Sequence, residues 1–159
     1  MVTLLLLLPP AAFALLAAGA AVGPAQRPRA LIRAIVPLSL LALAGAAAAT
    51  ALLLARGPLQ SSAIGGGMLA LGLRLDALSA PLLLLVTTLG AIVLRFSCNY
   101  LAGDPRHGRF LGQLALTVAS ALLLVMAGTL PLLFVMWVTS SLSLHRLLRF
   151  YAERRGAVT

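Results

Sequence analysis

Long apolar runs separated by short polar stretches most restrict what this chain can fold into. A helix needs about 20 apolar residues to cross a hydrocarbon core of about 30 Å. Five segments meet or approach that length, namely residues 2–22, 34–55, 77–94, 110–126 and 130–150. Because unpaired backbone groups are not tolerated in hydrocarbon, such segments cross the membrane as helices. The sequence therefore predicts an all-α membrane protein with five transmembrane helices in a single membrane domain, residues 1–159.

The first apolar run has an alternative interpretation as a cleaved signal peptide, since residues 18–21 are small and resemble a cleavage region. No Lys or Arg precedes this run, and Pro9 and Pro10 would interrupt a short apolar core. A spanning helix tolerates proline where its neighbours satisfy the freed carbonyls. These features favour a transmembrane helix.

The charged residues are few and almost all basic. Of the residues, 62% are hydrophobic and 9% are charged, and all twelve basic residues are arginines, which gives a net charge of +9. Nucleic-acid binding needs these charges gathered on a polar face, whereas here they stand singly or in small groups between apolar runs. No nucleic-acid partner is predicted. The single cysteine, Cys98, excludes an internal disulfide.

The arginines predict how the helices are oriented, because short cytoplasmic loops retain positive charge. Only Arg56 and Arg74 fall on one side of the five helices. Ten fall on the other side: Arg27, Arg29, Arg33, Arg95, Arg106, Arg109, Arg146, Arg149, Arg154 and Arg155. We expect a multi-pass protein of the cell (inner) membrane with its N-terminus outside and its C-terminus in the cytoplasm.

The external stretch between the second and third helices has strand character. Leucines alternate at positions 69, 71, 73 and 75, after three consecutive glycines at 65–67. Alternation and a glycine turn predict a small external β-hairpin. A phosphate-binding loop would need Lys and then Ser or Thr after the glycines, and Met68 stands there instead.

Polar groups in the spans are hydroxyls and one amide, and no ionisable side chain lies in the centre of any span. They include Thr50, Thr87, Thr88, Gln113, Thr117 and Ser120. Bonding to a backbone carbonyl or a neighbouring helix is their expected role; lining a water path is the alternative. A proton route needs carboxylates, lysines or histidines, so this segment alone does not supply one.

Two titratable residues, Asp76 and His145, stand at helix ends. Asp76 is expected to cap the third helix, with pairing to Arg74 or to another subunit as an additional role. His145 follows Ser141 by four residues and shares a helix face with it and with Trp137. Its role stays open between an interfacial hydrogen bond and a proton-accessible group. His107 is expected to be a solvated loop residue, and no metal, cofactor or catalytic site is predicted.

Several short stretches together indicate a family. They are Leu73 to Ser79, Ser97 to Tyr100, Asp104-Pro105, Arg109-Phe110 and Trp137. In order and spacing the chain from Leu73 onward resembles the N-terminal region of the antiporter-like family that includes the largest antiporter-like subunit of respiratory complex I. That resemblance covers about half of the chain. It marks Asp76, Trp137, Ser141, His145 and Arg146 as signature positions, either structural or proton-accessible.

The fifth helix separates two branches of the family. In complex I subunits of this type the middle of the fifth helix looks like Trp-Glu, whereas this chain has Trp137-Val138 there. The stretch from Ser141 to Tyr151, with Arg154, is similar to the membrane subunit of the two-part DAB inorganic-carbon transporter. That branch implies a proton-driven transporter with a cytoplasmic zinc-containing partner subunit. The complex I branch implies a proton-translocating subunit among other complex I subunits.

The resemblance also implies a complete fold of about fourteen helices with two inverted repeats and broken helices near the midplane. Five helices are an incomplete part of such a fold, and this chain contains neither a broken helix nor a lysine. We therefore expect an N-terminal fragment that does not conduct protons alone. A truncated remnant without transport activity is the third hypothesis.

Overall fold

The computed structural model describes residues 2–22, 28–61, 71–100 and 107–149, apart from the side chains of residues 22 and 28–31. Within these residues the chain forms five helices and two short strands. The helices are α1 (Val2–Val22), α2 (Pro28–Arg56), α3 (Ser79–Tyr100), α4 (His107–Val125) and α5 (Leu130–Arg149). The strands are β1 (Leu59–Gln60) and β2 (Arg74–Leu75). All five helices are long and apolar enough to cross a membrane, so the chain is a multi-pass membrane protein.

The five predicted helices are confirmed, and the largest differences in their bounds lie at helix ends that carry arginine. Segment 2–22 is α1. By contrast, α2 begins six residues before position 34, and α3 continues six residues past position 94. Arginine extends its charged end to the interface while its stem stays along the apolar surface. The helix therefore continues past the hydrocarbon boundary that the apolar run marks.

Four of the helices form a closed ring. α1 packs on α2, α2 on α3, α3 on α4, and α4 returns to α1, while α5 packs mainly on the outside of α4. Small residues allow this close packing, because backbones approach where side chains are short. Ala42 and Ala46 on α2, like Ala115 and Ala119 on α4, are buried four residues apart on one helix face. At Gly90 the α3 backbone lies so close to Val118 of α4 that a Cβ would meet its side chain at 2.5 Å.

The strands confirm a small sheet between α2 and α3, with a partner that the sequence did not indicate. β1 and β2 pair antiparallel, with Leu59 opposite Leu75. Residues 72–74, which lead into and begin β2, bind the connection from α4 to α5. The Arg74 amide donates to the Met126 carbonyl at 2.9 Å, and the Gly128 amide donates to the Gly72 carbonyl at 2.8 Å. The predicted glycine turn at 65–67 lies outside the described residues.

This pairing gathers four helix ends at one end of the bundle, which we call the strand end. It consists of the end of α2, both strands, the start of α3 and the α4–α5 connection. We call the opposite end the arginine end, since the arginines there whose side chains are described are Arg33, Arg95, Arg109, Arg146 and Arg149. Arg56 and Arg74 lie at the strand end.

Gly128 in the α4–α5 connection lies close to the segment around β2. A Cβ there would lie 3.0 Å from the Gly72 carbonyl oxygen and 3.1 Å from the Cβ of Arg74. We expect Gly128→Ala to lower the free energy of unfolding by about 1–3 kcal/mol, because the two segments must separate to admit the methyl group. Unfolding of the protein in mixed detergent micelles measures this loss.

Gly108→Ala is the matched control, because a Cβ at Gly108 in α4 meets nothing within 4 Å. Replacing glycine by alanine in an open helical position stabilises by up to about 1 kcal/mol. Equal stability changes in the two variants would contradict the close packing assigned to Gly128.

Candidate functional site

The most connected polar group within the spans joins α4 to α5. It consists of Gln113, Thr117 and Ser143, and we call it the α4–α5 cluster. Gln113 Nε2 donates to Ser143 Oγ at 3.1 Å and to the Ser143 carbonyl oxygen at 3.3 Å. Thr117 Oγ1 lies 2.9 Å from the Gln113 carbonyl oxygen and 3.0 Å from Ser143 Oγ, so its proton has two acceptors. Ser143 is only 2% exposed.

Four other hydroxyls in the spans bond within their own helices. Thr87 Oγ1 donates to the Leu83 carbonyl at 2.6 Å, and Thr50 and Thr88 make the same bond to the carbonyl four residues earlier. Ser120 Oγ donates to the Thr117 carbonyl. Neutral groups of this kind can hold helices together, but they do not bind an excess proton near neutral pH. The cluster therefore links α4 to α5 through hydrogen bonds, as expected for polar groups in the spans.

Three of the signature positions lie together on the outer face of α5. Trp137 is 57% exposed, and Ser141 and His145 are exposed as well. Their four-residue spacing places them on one face, as predicted, and Ser143 on the opposite face contacts α4. Arg146 follows at the arginine end, also exposed. The structure thus places these four signature residues outside the helix ring.

Asp76 lies at the strand end and caps α3, as its sequence position predicts. The Ser79 amide donates to Asp76 Oδ1 at 2.9 Å, and the Asp76 amide donates to Ser79 Oγ at 2.8 Å. This reciprocal pair satisfies donors that the first helical turn leaves free. The hydrogen bond from the Ser79 amide holds the pKa of Asp76 below its ordinary value. Arg74 Nε lies 3.6 Å from Asp76 Oδ2, a solvent-exposed pair that adds little.

The structure does not bring the five signature residues into one site. Asp76 stands at the strand end, while His145 and Arg146 stand near the C-terminal end of α5. In the part of the chain that the structure describes, no three His, Cys, Asp or Glu residues are grouped as metal ligands would be. The functional roles of the five signature residues remain predictions.

The prediction for His107 is wrong. It is the first residue of α4 and only 4% exposed, rather than a solvated loop residue. Its Nε2 is buried and has no hydrogen-bond partner in the described structure. The reason is that α4 begins three residues before the apolar run at 110, so its first turn lies within the helix packing.

Comparison with known proteins places part of this fold in a family. Residues 62–111 match the family described as NADH-Ubiquinone oxidoreductase (complex I), chain 5 N-terminus. This part of the chain is similar to the antiporter-like membrane subunits of that family. The matched residues include β2, all of α3 and the start of α4. The cap at Asp76 thus lies within the matched region.

Individual relatives extend the similarity over more than half of the chain. The Halothiobacillus neapolitanus protein named "Probable inorganic carbon transporter subunit DabB2" is 39% identical over 94 residues, which is 59% of this chain and 17% of that protein. NADH-quinone oxidoreductase subunit L of Mycobacterium tuberculosis is 38% identical over 95 residues, covering 60% and 15%. NADH-ubiquinone oxidoreductase chain 5 of Metridium senile is 36% identical over 83 residues, covering 52% and 14%. The aligned part of this chain spans about a sixth of these relatives' length.

Ser143 is the residue whose loss tests the α4–α5 cluster. We expect Ser143→Ala to lower the free energy of unfolding by about 1 kcal/mol, because it removes bonds to both Gln113 and Thr117 inside the membrane. The measurement is reversible unfolding in mixed micelles.

Ser141→Ala is the control, since Ser141 is exposed on the opposite side of the same helix. If both substitutions changed stability equally, the cluster would not be what holds α5 against α4.

Proposed function

We propose that these five helices form the first part of a proton-conducting, antiporter-like membrane subunit, and that the complete protein couples proton flow to inorganic-carbon transport. The observation that carries this proposal is the similarity to the carbon-transporter subunit of Halothiobacillus neapolitanus over 94 residues. In this proposal a cytoplasmic zinc-containing subunit is the partner, and the zinc chemistry belongs to that partner.

The fifth helix supports this branch of the family. Val138 stands beside Trp137 on α5 where the complex I pattern has a glutamate. An intramembrane carboxylate is a usual part of a proton path, and the spans of this chain contain none. The proton path of the complete protein then depends on residues beyond these helices.

Two other functions fit the family. The first is a subunit of NADH-quinone oxidoreductase, which moves protons while other subunits pass electrons; the similarity to subunit L of Mycobacterium tuberculosis favours it. The second is a structural remnant without transport activity, favoured by the absence of ionisable groups from the centres of the spans.

We propose an orientation with the arginine end in the cytoplasm. Of the arginines whose side chains are described, five lie at that end and two at the strand end, where Asp76 offsets part of their charge. Retention of positively charged ends in the cytoplasm is the general tendency. A reporter active only in the periplasm, fused after Thr159, is expected to stay inactive, whereas the same reporter at Gln60 is expected to be active. The reverse pattern would overturn the orientation.

The transport function is tested with the complete reading frame and its neighbouring frames, expressed in a bacterial host that lacks carbonic anhydrase. We expect growth in air, because imported or hydrated inorganic carbon replaces the missing enzyme. A protonophore should abolish uptake of labelled inorganic carbon by these cells if proton flow supplies the energy, and bicarbonate added without the protonophore should let cells lacking the transporter grow.

The rival functions give different results in the same strain. Proton pumping that requires NADH and quinone, without rescue of growth in air, would establish the oxidoreductase subunit. No rescue and no proton movement, with the protein present in the membrane, would favour the remnant.

A further inference from the structure

A groove on the outer surface of the helix ring runs between α2 and α3 at the arginine end. It has a volume of about 180 Å³. Its walls are apolar and consist of Ile35, Val36, Leu40 and Leu43 from α2 and Ala91 and Ile92 from α3. From Ile35 to Leu43 the groove follows α2 for about 12 Å, at 1.5 Å per residue. This shape suits a narrow, flexible hydrocarbon chain rather than a folded element.

One positively charged side chain lies at the end of the groove nearer the membrane interface. Arg95 lines it and is exposed. Because α2 and α3 run antiparallel, Arg95 lies towards Ile35, the end nearer the membrane interface. Arg33 precedes Val36 by three residues and therefore extends the same helix face towards that interface. Among the described residues the one carboxylate, Asp76, lies at the opposite end of the bundle.

A second polar group lies at the floor of the groove. Ser39 lines it, is only 6% exposed, and its hydroxyl has no hydrogen-bond partner within the described structure. The described hydroxyls at Thr50, Thr87 and Thr88 all bond a carbonyl of their own helix. A buried hydroxyl without an acceptor is costly. Ser39 stands about 6 Å deeper than Ile35 along α2, at 1.5 Å per residue.

We propose that this groove binds an anionic phospholipid, with one acyl chain between α2 and α3 and the phosphate on Arg95. The depths agree with that ligand: a phosphate at the interface, an ester carbonyl below it as the acceptor for Ser39, and hydrocarbon below that. Arginine bonds phosphate through two parallel N–H groups. Basic pockets between transmembrane helices on the cytoplasmic side bind anionic headgroups in this way. The site does not depend on which transport function is correct.

The test counts lipids bound to the complete protein. The protein is purified in mild detergent, given phosphatidylglycerol or phosphatidylcholine, and examined by native mass spectrometry. We expect phosphatidylglycerol to be retained in preference, and Arg95→Gln to weaken its retention about fivefold, as for the loss of one arginine–headgroup interaction. Arg95→Lys should keep most of it. Arg56→Gln, an exposed arginine at the strand end, should change nothing.

The acyl chain is tested separately from the charge. Leu40→Trp fills the groove from an exposed position and should reduce retention with Arg95 intact, whereas Leu41→Trp, exposed but outside the groove, should not. Three results would overturn the proposal. The first is equal retention of phosphatidylglycerol in the Arg95→Gln and Arg56→Gln variants. The second is that inorganic phosphate binds as well as the lipid does. The third is that no lipid is retained because another helix of the complete protein covers the groove.

Discussion

Backbone amides and carbonyls in hydrocarbon have no water to bond, and the rest of this structure depends on that constraint. It makes every apolar run of sufficient length a helix, which is why two consecutive prolines in α1 do not end it. It also confines extended structure to the connections. At the strand end the two connections satisfy one another, because backbone groups of residues 72–74 bond those of 126–128.

That mutual pairing has a consequence for the order of the helices. A loop between α2 and α3 would fix those two helices only, but its hydrogen bonds to the α4–α5 connection also fix where α4 ends and α5 begins. Buried Leu73 and Leu75 fasten the same segment to the bundle. The strand end therefore joins the ends of four helices, and Gly128 lies in close contact with Gly72 and Arg74 within it.

The apolar pattern predicted the number, type and approximate bounds of the helices because length and hydropathy decide membrane insertion. It did not predict that α4 begins at His107, since charge and polarity around residues 104–109 resemble a loop. The partner of β2 was missed for another reason: residues 126–129 carry no strand signal, and the pairing arises only when the ends of α4 and α2 meet. The unpartnered hydroxyl of Ser39 is likewise a result of tertiary packing, because a serine in an apolar run has the same sequence context whether it is bonded or not.

The two faces of α5 have different contacts: one bonds α4 and the other points away from the helix ring. Apolar contact between helices gives little net stabilisation in lipid, since lipid chains are as apolar as leucine. α5 packs mainly on one other helix and exposes many large apolar residues, so its rotation is set largely by polar bonds. Ser143 bonds Gln113 and Thr117 on α4, and this fixes the opposite face outward. Ser143 lies six residues after Trp137 and two residues before His145. Its contact with α4 therefore turns both of those side chains outward. Any role of the outer face, whether with lipid or with further helices of the complete protein, depends on the hydrogen bonds made by the inner one.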